Sequence, residues 1–175
     1  MENGLEARLT ALEAQLQALE DINAIKALKY RYLRACDRKE PEVVRDCLDP
    51  DGAIIAYEGF PAFANRDDFV AIYQQMGCKP NIIDMHHAHN PDISLIGPDT
   101  AAGTWDLYFN NIDTDAGTVL QMACVYSDIY TRKHGRWWIS GTATKRTSFL
   151  MQRKQDDGTL AVVVMGEPPN TSFGG

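Results

Sequence analysis

The chain is short of positive charge. Its 175 residues carry 17 Lys and Arg against 24 Asp and Glu, a formal net charge of −7. A protein that tracks nucleic-acid phosphates needs a basic face, and an anionic membrane is held by basic clusters. This balance offers neither, so neither partner is expected. Cysteine is scarce as well. Cys36, Cys47, Cys78 and Cys124 form no C-x-x-C pair, which removes the usual signs of a zinc knuckle or a redox couple. They read as reduced thiols of a cytoplasmic protein. There is no glycine-rich phosphate loop and no P-loop, so no nucleotide cofactor is expected. No apolar run approaches the length of a membrane span. The acidic start Met1-Glu2-Asn3-Gly4 lacks a signal-peptide pattern. Internal repeats and low-complexity segments are missing too. What is left is ordinary for a globular domain, 45% hydrophobic and 23% charged, and long enough for one sizeable core.

Histidine is also rare, yet three of the 4 fall together in Met85-His86-His87-Ala88-His89-Asn90-Pro91-Asp92-Ile93. Imidazole titrates nearest neutrality, so it suits proton transfer. The segment reads as a strand that carries histidine toward a cavity; ordinary strand and edge histidines are the plainer reading. Alternation puts His86, Ala88 and Asn90 on one face and His87, His89 and Pro91 on the other. Ile93 and Leu95 follow the second phase, but Pro91 marks an edge or bulge where the phase can slip. Periodicity therefore leaves open which histidine points inward. His86 and His89 have His-x-x-His spacing, but no cysteine or carboxylate stands at ligand spacing beside them, and no metal is expected.

Leu5, Leu9, Leu12, Leu16 and Leu19 alternate spacings of four and three, a heptad-like seam on an amphipathic helix within residues 1–20. The seam suits packing on a neighbouring subunit or on the body of the domain, and a homo-oligomer, trimer or dimer, is expected. Glu20-Asp21 is a candidate cap for a second helical stretch, with Ile22, Ile25, Leu28, Tyr32 and Cys36 on its buried face. Asp37 falls where that helix ends. Pro41 opens a short helix with Val43, Val44, Cys47 and Leu48 inward. Ala53 to Tyr57 is a strand. Asn65 caps a further helix whose core face is Phe69, Ile72, Tyr73 and Met76.

The remainder reads as a β meander with turns at 97–99, 113–117 and 133–135. Val162 to Val164 add an edge strand, and 166–175 a loose or partner-bound tail. The class is α+β. The domain is placed at 1–154, with 155–175 as a C-terminal extension.

Helices followed by a long antiparallel meander are what a cone-shaped fold produces, with three N-terminal helices packed in a strongly curved antiparallel sheet. From about Leu5 to Lys154 the sequence resembles the SnoaL-like branch of the nuclear-transport-factor-like superfamily. Within it the chain is similar to the bile acid 7α-dehydratase and scytalone dehydratase group. The residues that carry the likeness are 21–29, Tyr32 with Asp37, the histidine segment 85–93, Ala102-Gly103-Thr104-Trp105, and Arg146. The resemblance implies that Tyr32, Asp37, His86 and Arg146 match the family's catalytic tyrosine, aspartate, histidine and arginine. It also implies that Tyr57 matches a second polarising tyrosine. One position departs. The bile acid enzyme has a further aspartate four residues after the tryptophan; here that position is Phe109.

The roles implied are separate. His86 moves a substrate proton. Asp37 takes the other ring N–H and supports imidazolium. Tyr32 and Tyr57 donate to an oxygen where charge develops. Arg146 holds an acidic or phenolic group, or pairs with Asp37. Trp105, Leu107 and Phe109 share a strand face, and line an apolar pocket or belong to the core. The expectation is a cofactor-independent lyase that eliminates water from a small hydroxylated cyclic or aromatic compound. Its close variant is C–C cleavage, such as loss of formaldehyde from an aryl-propanediol. The alternative is a non-catalytic ligand-binding or assembly module of the same fold.

Overall fold

In the computed structural model residues 2–166 are described, with side chains from residue 4 onward. The element order is α1 (Glu2–Arg38), α2 (Pro41–Cys47), β1 (Ile54–Tyr57), α3 (Arg66–Met76), β2 (Ile82–Gly97), β3 (Thr100–Asp113), β4 (Thr118–Lys133), β5 (Arg136–Lys154) and β6 (Leu160–Met165).

The two helical stretches expected at the N-terminus are one helix of 37 residues. Residues 5–38 contain neither Gly nor Pro and are rich in Ala, Leu, Glu and Gln, so nothing local interrupts the helix. Asp21 is not a cap. It sits within α1 and accepts hydrogen bonds from Arg132 Nη1 and the Trp137 indole, both at 2.9 Å. The helix stops where Lys39 takes φ +58°, and Pro41 opens α2. In α3 the Asn65 side chain caps the Asp68 N–H at 2.8 Å. Phe69 and Val70 are its buried residues; Met76, expected inside, is exposed because the helix ends there beyond the edge of the core.

The sheet runs β1-β5-β4-β3-β2, with β6 also on β5. β2 to β5 form the expected antiparallel meander. The sheet is nevertheless mixed, because β1 lies parallel to β5. A meander dictates direction only between its own successive strands; β1 reaches the sheet from outside it. The His134-Gly135 turn has both φ values positive, +52° and +74°, the conformation of a two-residue hairpin. Register shifts interrupt β2, β4 and β5, and bulges of this kind add twist and bend. β6 extends the edge strand expected at 162–164 to six residues. Beyond Gly166 the expected tail lies outside the described residues.

Register sorts the inner face into rows. Gly103, Asp128, Thr142 and Ile55 form one; Trp105, Tyr126, Thr144 and Tyr57 the next. Then come Ala88, Leu107, Cys124 and Arg146, and after them His86, Phe109, Met122 and Phe149. Helix α1 climbs these rows in chain order. Lys29 meets Asp128, Tyr32 meets Tyr57, and Asp37 meets His86.

Candidate active site

The inward histidine is His86. Its side chain is half-buried while His87 and His89 are exposed. The slip at Pro91 is real: register shifts between His89 and Asp92, and Asn90 takes φ +47°. That extra residue lets His86 and Ala88 share the inner face with Ile93 and Leu95.

Asp37, on the last turn of α1, holds His86 twice. Its Oδ1 lies 2.6 Å from the ring Nδ1, and its two oxygens accept the His86 backbone N–H at 3.0 and 3.2 Å. A carboxylate only accepts hydrogen bonds, so Nδ1 is assigned the proton and Nε2 is left with its lone pair. The side chains retain 16% and 27% exposure. The ring packs against Phe109, centroids 4.6 Å apart.

Two rows deeper, the Tyr32 and Tyr57 hydroxyls share a 2.6 Å hydrogen bond. Burial is the main reason both phenols hold their protons well above the usual tyrosine range. Tyr57 is wedged edge-on between Phe69 and Tyr126. Arg146 is buried on the row between the tyrosine pair and His86. Its backbone N–H donates to Glu58 Oε2 at 2.6 Å, and its guanidinium lies 5.5 Å from the Phe149 ring centre.

Of the three expected wall residues, Phe109 packs on the His86 ring. Trp105 is fully buried, donates from its indole to the Tyr130 hydroxyl at 3.0 Å and meets Tyr30 edge-on. Leu107 is buried beside it. Two shallow concavities of about 340 Å³ each lie elsewhere. One includes Tyr108, Gln121 and Met165, the other Ala24, Arg31 and Trp137; neither includes His86, Asp37 or the tyrosine pair. The tyrosine pair is deep in the fold while His86 and Asp37 keep some exposure, so the candidate site is at the rim. Among the described residues no three His, Cys, Asp or Glu side chains converge as metal ligands.

Sequence reasoning missed a second polar group at the floor. Lys29 Nζ lies 2.8 Å from Asp128 Oδ2, both side chains with no exposure, although the ammonium is not aligned for a good hydrogen bond. It stands 3.5 Å from the centre of the Tyr126 ring, a cation–π contact. The Tyr130 hydroxyl donates to the same Asp128 oxygen at 2.7 Å. Burial lowers the affinity of Lys29 for its proton, and Asp128 offsets part of that. The signal was readable: Lys29 is four residues from Ile25 on the buried helix face, and Asp128 has the inward phase of Cys124, Tyr126 and Tyr130. Glu58 had no such signal, being in a loop.

Residues 17–143 match the SnoaL-like domain. The chain belongs to the SnoaL-like family. Solved structures agree on the fold. A hexachlorocyclohexane dehydrochlorinase from Novosphingobium barchaimii superposes with a TM-score of 0.71 at 18% identity, over 89% of this chain and 99% of that one. A scytalone dehydratase-like protein from Novosphingobium aromaticivorans gives 0.70 at 17%, over 86% and 94%. An NTF2-like protein with a cystatin-like fold from the same species gives 0.65 at 20%, over 78% and 88%. Within this SnoaL-like cone, the His86–Asp37 pair occupies the rim and the Lys29–Asp128 pair the floor.

Proposed function

We propose that this SnoaL-like chain is a cofactor-independent lyase acting on a small hydroxylated cyclic or aromatic compound, with His86 as its acid–base group. The observation that carries the reading is the 2.6 Å contact between Asp37 and His86 Nδ1, which puts the ring's lone pair on Nε2 of a partly exposed side chain. Nε2 takes a proton from carbon, the electron pair forms a double bond, and the neighbouring C–O bond breaks. The imidazolium returns that proton to the departing hydroxide, and the product is water plus an alkene. Asp37 stabilises the transient imidazolium. The Tyr32–Tyr57 pair and Arg146 polarise an oxygen of the substrate, since phenols held protonated by burial remain donors. Phe109 gives the ring an apolar wall, while Trp105 and Leu107 support it from below. The scytalone dehydratase-like neighbour and the dehydrochlorinase are both named for eliminations, the reaction class proposed here.

One observation favours C–C cleavage within the same class. Phe109 packs on His86 at the position where the resembled bile acid enzyme has an aspartate. A ring therefore stands beside the histidine where the resembled enzyme has a second carboxylic acid, which makes the wall more aromatic. In this variant Nε2 takes a hydroxyl proton, the alkoxide collapses to formaldehyde, and the C–C electron pair is stabilised by the polarised aryl system and then protonated.

The test is a panel of hydroxylated cyclic and aryl-propanediol compounds followed by mass spectrometry. Loss of 18 mass units, or appearance of formaldehyde, that disappears in His86→Gln supports the lyase. Saturable binding of panel compounds with no product at any pH overturns it in favour of a binding module.

A further inference from the structure

The first part of α1 stands clear of its own chain. Every described residue from Gly4 to Gln17 is exposed, and burial on this helix begins near Asp21. The leucines of the seam are 56–71% exposed: Leu5, Leu9, Leu12, Leu16 and Leu19. A solitary helix of this length is marginal in water, so the stripe calls for a cover.

The pattern of the stripe says what covers it. A helix that packs on a domain shows a broad apolar face. Here the face is a seam of leucine alone, repeating every 3.5 residues, the period that keeps one helix facing another through a left-handed supercoil. With Leu9 and Leu16 at a, and Leu5, Leu12 and Leu19 at d, the e positions are Glu6, Glu13 and Glu20 and the g positions Arg8 and Gln15. A parallel pair sets g against the following e, which brings Arg8 to the partner's Glu13. An antiparallel pair sets e against e, glutamate facing glutamate. The charge pattern therefore selects one direction.

We propose that the residue 4–20 arm pairs, parallel and in register, with the same arm of a second copy of this chain. The inference does not rest on the lyase reading. The full-length protein carrying Leu9→Cys tests it, in a Cys78→Ser background because the other three cysteines are buried. Position a meets itself in the parallel pair, so mild oxidation is expected to give a covalent dimer from this variant alone. Adding Arg8→Glu is expected to remove most of that dimer, and Glu13→Arg on top of it to restore the dimer. Two results overturn the proposal. One is a dimer that forms only when Leu9→Cys is mixed with Leu12→Cys, the antiparallel signature, since an antiparallel pair sets position a against position d. The other is no covalent dimer together with a concentration-independent monomer by sedimentation. Circular dichroism on each variant confirms that the cone is folded.

Discussion

Two side-chain pairs, each an aspartate with a nitrogen group, join α1 to the sheet, eight positions apart on the helix. Asp37–His86 at the rim keeps 27% and 16% exposure; Lys29–Asp128 at the floor keeps none. Attraction is the same in kind, but water decides what each can do. The rim pair keeps part of its surface open to solvent, and no described hydrogen bond engages its Nε2. The floor pair is locked under Tyr126 and Tyr130. Burial of such a pair costs desolvation energy that offsets much of its attraction, so replacing both charges together is expected to cost little stability. Solvent access separates a candidate reagent from a fastener.

The contrast breaks most sharply at His86. His86→Ala is expected to cut turnover by about 10²–10⁴-fold, the range for a positioned acid–base group, while the thermal midpoint barely moves. Specific activity measured beside a melt checks both. A loss of activity that only tracks loss of folded protein would assign His86 to the structure instead.

Asp128→Ala should show the opposite profile. Stranding a buried ammonium costs on the order of 3–5 kcal/mol of stability, visible in urea titration. The double change Lys29→Met with Asp128→Leu, which removes both charges, is expected to recover most of that loss. A double variant as unstable as the single one would mean that Lys29 and Asp128 act through other partners.

Smaller effects refine the rim. Asp37→Asn is expected to keep substrate binding and lower turnover by about tenfold or more, short of the His86→Ala loss. The carboxylate that supports imidazolium is gone, but the residue's shape remains. Tyr32→Phe is expected to cost less, because Tyr57 stays as a donor. Stopped turnover at saturating substrate separates the two.

pH supplies a further test. Burial raises the proton affinity of Tyr32 and Tyr57 in the folded chain. The unfolded chain ionises near pH 10 and the folded one does not, so the folded state binds more protons there. Stability is thus fully present below about pH 10 and falls as pH rises above it. Urea midpoints from pH 8 to 11 check the direction, and no phenol ionisation is expected to limit activity below that range. The smallest effect concerns the thiols. Cys47 and Cys124 are pushed up to about 11 by burial, so at pH 8 iodoacetamide is expected to label half-buried Cys78 first and the others only on unfolding. Peptide mass mapping reads the order.

Much of this was legible in the chain before any coordinates. The buried face of α1, the start of α2 at Pro41, the Asn65 cap and the hairpin at His134-Gly135 all follow from interactions within a few residues. Local chemistry determines them wherever the segment lies. The α+β class and the place of the histidines on a strand come from the same source. The false break at Glu20-Asp21 shows the limit: capping residues are also found inside helices when a distant partner, here Arg132 and Trp137, takes the side chain.

Tertiary structure decided what depends on residues far apart in sequence. It set β1 parallel to β5, chose His86 over His87 and His89 through a one-residue slip at Pro91, and brought Asp37 across 49 positions to meet it. It drew Lys29 to Asp128 and Glu58 to the Arg146 backbone. Periodicity tells which face of an element is apolar. Which charged side chain is carried into that face, and what waits there to neutralise it, is settled only when the helix lies across the sheet.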